Sequence, residues 1–118
     1  MKDTKDEKGE LAGKHCKPSE KGTPPLPAER VKALLKQVPG WEQKGGEIAK
    51  AFSFKNYYET MAFVNAAAWV SHREDHHPDL EVGYNKCKVT YSTHSVGGLS
   101  DADFQNAQSV EALAKPRA

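Results

Sequence analysis

The 118 residues carry 17 Lys and Arg against 16 Asp and Glu, a net charge of +1, so the chain lacks the basic excess by which nucleic-acid binders displace counterions. That length suits one domain, whose core removes only about two thirds of the unfolded surface from water, a size at which oligomerisation is a natural supplement. Cys16 and Cys87 make neither a disulfide framework nor a zinc-finger spacing, and the alternating charges of residues 1–16 leave no apolar stretch for a signal peptide or membrane anchor; the expectation is a cytoplasmic protein with no nucleic-acid or membrane partner.

Residues 1–25 combine charges of both signs with Gly9, Gly13, Gly22 and the Pro24-Pro25 pair, and Leu11 is their one large aliphatic residue. Such a segment cannot offset the entropy of folding, and a flexible polar leader is expected there, ahead of one domain over residues 26–115. Val31, Leu34, Leu35 and Val38 then fall at helical spacing after Pro27, which suits a first turn, and Pro39-Gly40 stop the helix. Trp41 to Lys44 and Ile48 to Phe54 flank Gly45-Gly46 as a β-hairpin, with Phe52 and Phe54 on one face. A second helix opens on the capping pair Asn56 and Glu59 and runs to about His72, with Tyr57, Met61, Val64 and Ala68 as its apolar side.

Leu80 to Tyr84 and Cys87 to Thr93 read as a second hairpin around Asn85-Lys86, because Cys87, Val89 and Tyr91 alternate with Lys88, Thr90, Ser92 and His94. His94 belongs by parity to the polar face. Ser100 with Asp103 makes another capping box, and Leu99 with Phe104 a hydrophobic staple, opening a third helix to about Ala114. The order α-β-β-α-β-β-α gives an α+β fold, a four-stranded antiparallel sheet covered on one face by helices. Its two open edges favour a homodimer or a dimer of dimers.

Four of the five histidines lie between residues 72 and 94. Histidine gives and takes a proton near neutral pH, so the cluster points to proton transfer or a metal. Pro78 drives His77 out of helical backbone, and if His76 and His77 are both extended their side chains diverge to different tasks. A hairpin that starts after His77 and ends before His94 returns the third imidazole to the same end of the sheet. His15 and His72 read as ordinary surface residues. Three imidazoles with an open position would also suit catalytic zinc; against this, sequence neighbours rarely aim at one ion, and no H-x-H, H-E-x-x-H or nearby cysteine ligand is present.

Asp75-His76-His77-Pro78, Tyr84-Asn85-Lys86, Ser92-Thr93-His94, Gly98-Leu99 and Asp103 together closely resemble the signature of the pterin-4a-carbinolamine dehydratase family, over about Pro24 to Leu113. The resemblance implies dehydration of 4a-hydroxytetrahydropterin to quinonoid dihydropterin, recycling the pterin left by aromatic amino acid hydroxylases, with no metal or organic cofactor. It implies His77 as the main general acid/base, His76 and His94 as pterin-binding partners that share proton handling, and Asp103 as a further polar contact to substrate. The partners implied are the pterin, a second or further copies of the chain as homodimer or homotetramer, and a functional link to a hydroxylase. Family members usually carry an acidic residue where His72 stands, and Ser19 replaces the second cysteine of some bacterial leaders. The alternatives are a protein-binding module like the coactivator role of animal members, and a pterin binder without turnover.

Overall fold

A computed structural model describes residues 24–93 and 96–114, with the elements α1 (Ala28–Leu35), β1 (Glu42–Lys44), β2 (Glu47–Ser53), α2 (Tyr57–Glu74), β3 (Asp79–Val82), β4 (Lys86–Tyr91) and α3 (Asp101–Ala114). The order and the α+β class are those expected. Residues 1–23, which make up nearly all of the expected leader, lie outside the described residues, as do His94 and Ser95 and the chain beyond Ala114.

The sheet runs β1-β2-β4-β3, every neighbouring pair antiparallel. Alternation along β2 and β4 turns Ile48, Phe52, Cys87, Val89 and Tyr91 to one face, where all are buried. The helices close that face. Val31 and Leu34 of α1, Phe63 and Ala67 of α2, and Phe104, Ala107 and Val110 of α3 complete one cluster with the sheet. Full burial of a large apolar side chain contributes roughly 1.5–3 kcal/mol, so this cluster is the main favourable contribution to the fold. Phe52 and Phe54 do share a face, and both meet the ring of Phe63, at centroid separations of 4.9 and 5.1 Å.

Four expectations about these elements need correction. The stripe Tyr57, Met61, Val64 and Ala68 is not the core face of α2; the buried residues are Thr60, Phe63, Ala67, Val70, Ser71 and Glu74. Alanines and aromatics occur all round this helix, so apolar spacing alone selects the wrong side, and Tyr57 stands half exposed. The helix also continues past His72 to Glu74. The tip of the second hairpin begins earlier than Asn85, because Gly83 N–H bonds the Lys86 carbonyl at 2.8 Å and ends β3 at Val82. Finally, α1 stops at Leu35, and Val38 reaches the core from a tightened turn in which its N–H bonds the Leu35 carbonyl.

Each expected capping box forms one of its two reciprocal bonds. Asn56 Oδ1 accepts from Glu59 N–H at 2.9 Å, while Glu59 reaches back to the N–H of Lys55. At α3, Asp103 Oδ2 accepts from Ser100 N–H at 2.9 Å, and Leu99 and Phe104 are both buried as a staple requires. The Ser100 hydroxyl is turned elsewhere, to Thr93.

Candidate active site

The end of α2 sets the first histidine. Asp75 takes a left-handed backbone, φ 54° and ψ 42°, which short polar residues tolerate better than branched ones. That turn lets His76 N–H bond back to the Ser71 carbonyl at 3.2 Å. His76 thereby folds over the end of the helix and against the sheet. Its ring stacks on that of Tyr91 at the end of β4, with centroids 5.8 Å apart and planes 10° apart.

His76 Nε2 lies 2.6 Å from Asp103 Oδ1. The His76 side chain is 11% exposed and that of Asp103 0%, so the carboxylate is shut off from bulk water and only an edge of the imidazole reaches solvent, which strengthens the contact between them. A buried carboxylate is costly unless its oxygens are satisfied. Here Oδ2 accepts from the Thr93 hydroxyl at 2.8 Å and from Ser100 N–H at 2.9 Å. An ionised carboxylate can only accept, so Nε2 of His76 is the donor and, in the neutral ring, Nδ1 holds the lone pair.

His77 follows as an exposed residue, then Pro78 leads into β3. The two neighbouring imidazoles differ in surroundings, one held between Tyr91 and Asp103 and the other open to solvent. Asp79 at the start of β3 pairs with Thr90 near the end of β4, so the His76-His77 segment and Tyr91 to Thr93 sit at one end of the sheet. His94, the third histidine of the expected cluster, lies outside the described residues. On its near side Thr93 is fixed by N–H to the Gly98 carbonyl at 2.8 Å. His72 is exposed in the last turn of α2. Among the described residues no group of three or more His, Cys, Asp or Glu could hold a metal ion.

Asp103, read from sequence as a helix cap and as a polar contact to substrate, caps α3 with one carboxylate oxygen and meets His76 with the other. With both oxygens engaged and no exposed surface, it faces His76 and not solvent. Thr93, Ser100 and Tyr91 were read from sequence as a signature residue, a helix cap and a strand position, and not as the surroundings of His76 that all three complete. The available signal was the alternation that puts Tyr91 with Cys87 and Val89 on the buried face of β4.

The family model described as pterin 4 alpha carbinolamine dehydratase matches residues 24–113. The chain belongs to this family. A relative from Nitrosospira multiformis, named "Putative pterin-4-alpha-carbinolamine dehydratase", is 59% identical over 88% of this chain and 92% of its own length. One of the same name from Nitrosomonas europaea is 57% identical over 90% and 95%. Among solved structures, a transcriptional coactivator/pterin dehydratase from Brucella melitensis superimposes with a TM-score of 0.75 at 29% identity, covering 77% of this chain and 99% of that one. A pterin dehydratase-like protein identified as a RuBisCO assembly factor in the alpha-carboxysome gives 0.53 at 29% identity, covering 63% and 86%. The segment that carries His76, His77 and Asp103 lies wholly inside the family match. Among the described residues no helix of this family member is long and apolar enough to cross a membrane.

Proposed function

We propose that the protein dehydrates 4a-hydroxytetrahydropterin to quinonoid dihydropterin and water, returning pterin to the cycle that aromatic amino acid hydroxylases draw on. The observation that carries this reading is an oriented imidazole, His76 on buried Asp103, beside a second one, His77, open to solvent. The reaction needs two proton movements. One proton goes to the leaving hydroxyl oxygen, the ring C–O bond breaks with its electron pair on that oxygen, and water departs. The ring nitrogen next to that carbon supplies the electrons for the new double bond and loses its own proton.

His77 serves as the main general acid/base, because it is accessible and free of the constraint that fixes its neighbour. His76 presents Nδ1 to the pterin and shares proton handling, with Asp103 holding its ring; this places Asp103 behind the imidazole, in support of it. His94 is the third partner in this reading, which needs no metal or organic cofactor. Positioned general acids and bases contribute typically ~10²- to 10⁴-fold each. The decisive measurement is the decay of freshly generated carbinolamine with and without protein. His77→Ala is expected to lower the rate at least ~10²-fold with an unchanged circular dichroism spectrum, and a rate near the parent's would refute the assignment.

The setting proposed is the cytoplasm, as a homodimer or homotetramer; the open edges β1 and β3 support self-association. A second reading, a protein-binding module, draws support from an apolar cleft of about 490 Å³ between α2 and α3, lined in part by Trp69, Arg73 and Leu113. Trp69 is 61% exposed there. Loss of carbinolamine turnover in the parent protein, with partner capture unaffected by His77→Ala, would favour that reading.

A further inference from the structure

Thr93 is buried, at 6% exposure, and its hydroxyl has two polar neighbours. It donates to Asp103 Oδ2 at 2.8 Å, so its one proton is used, and the hydroxyl of Ser100, 2.8 Å away, must be the donor in their contact. A directed chain results: Ser100 Oγ–H to Thr93 Oγ1, Thr93 Oγ1–H to Asp103 Oδ2, and His76 Nε2–H to Asp103 Oδ1. Thr93 itself cannot drift, because its N–H bonds the Gly98 carbonyl and its carbonyl accepts from Val96 and Gly98. Hydroxyls buried only to fill space would have been replaceable by apolar groups of the same shape at little cost. Here the hydroxyl is the second donor on a carboxylate oxygen that Ser100 N–H alone would otherwise hold, about a terminal torsion that is broad and soft.

We propose that Thr93 is a positioning residue for His76, acting through Asp103. Its hydroxyl fixes the carboxylate plane so that Oδ1 meets Nε2 and leaves Nδ1 as the nitrogen that faces the substrate. This rests on the dehydratase reading above. Val has the shape of Thr without the donor, so Thr93→Val isolates the hydroxyl. Ser100 N–H remains on Oδ2 in that variant, which limits the loss.

The experiment is a double-mutant cycle on carbinolamine dehydration. Thr93→Val is expected to lower kcat about tenfold, as loss of one hydrogen bond to a charged group does, with KM little changed, and Thr93→Ser to restore most of the rate. In a His76→Ala background the Thr93→Val step is expected to have no further effect. The downfield proton resonance of His76 Nε2–H, assigned by its loss in His76→Ala, is expected to shift in Thr93→Val. Equal loss from Thr93→Val in both backgrounds, or an unmoved resonance with an unchanged kcat, would overturn the role of Thr93 while the parent's turnover keeps the dehydratase reading. A parent without turnover would instead remove the reading on which it rests. Should Thr93→Val not fold, Ser100→Ala removes the hydroxyl that donates to Thr93 and is expected to move the same resonance; no movement overturns the proposal.

Discussion

His76 and Asp103 are 27 residues apart in sequence and 2.6 Å apart at Nε2 and Oδ1, and the second carboxylate oxygen faces a backbone N–H that cannot be reversed, that of Ser100. This fixes what an amide would do in place of the acid. In Asp103→Asn the side-chain carbonyl must stay on Ser100, since two donors would otherwise collide, and the amide nitrogen then points at His76. The imidazole is forced to accept at Nε2 and to carry its proton on Nδ1, the opposite tautomer. Dehydration is expected to fall roughly 10²-fold or more, with nitrogen chemical shifts of His76 reporting the exchanged tautomer. A variant that keeps the parent's tautomer would remove Asp103 as the orienting group.

Asp75 is the one non-glycine residue with positive φ among the described residues, and it stands where α2 must end for His76 to turn inward. Glycine adopts that backbone freely, so Asp75→Gly should leave thermal stability within a few tenths of a kcal/mol. A β-branched residue cannot, and Asp75→Val is expected to cost about 1–2 kcal/mol. Urea unfolding of both variants checks this. A larger loss of dehydration than of stability in Asp75→Val would follow if the displaced backbone carries His76 away from Asp103.

The order of elements, the hairpins and the caps were legible in the sequence because each is a local pattern: Gly45-Gly46 at a turn, Cys87, Val89 and Tyr91 at period two, Asn56 before Glu59. The inner side of α2 was not. Its apolar residues surround the helix, and only contact with Phe52 and Phe54 decides that Phe63 is buried while Tyr57 is not. His76 and Asp103 were legible as types at a spacing, but their contact depends on how α3 docks beside the end of α2, which no local pattern fixes. The same holds for Thr93, whose hydroxyl matters only once Asp103 lies beneath it.

Gly98 lies where the chain before α1 crosses the loop before α3. A methyl group added there would come 3.0 Å from Cβ of Pro25, a tight contact that Pro25 must relieve by shifting a few tenths of an ångström. Gly98→Ala is therefore expected to destabilise the fold by about 1–3 kcal/mol and, because Gly98 holds Thr93 at 2.8 Å, to slow dehydration as well. Adding Pro25→Gly removes the opposing carbon and should return part of both losses. Thermal melts of the single and double variants make the comparison; no rescue would mean that the clash is not with Pro25.

Cys87 is fully buried between the strands β2 and β3, and burial pushes its thiol pKa up by disfavouring the charged thiolate. Two consequences follow, one kinetic and one thermodynamic. In a Cys16→Ser background the remaining thiol should react with a disulfide reagent only as fast as the domain opens, so that urea accelerates labelling in step with unfolding; labelling at the rate of a free thiol would contradict the burial. The stability consequence has a definite sign. The folded pKa lies above the unfolded one, so the unfolded chain loses its proton first as pH rises, and the stabilisation present at neutral pH declines through the alkaline thiol range. Cys87→Ala lacks that decline, and the stability gap between parent and variant is expected to narrow as pH is raised from neutral to alkaline, as measured by urea midpoints; a gap that widens would reverse the assigned direction.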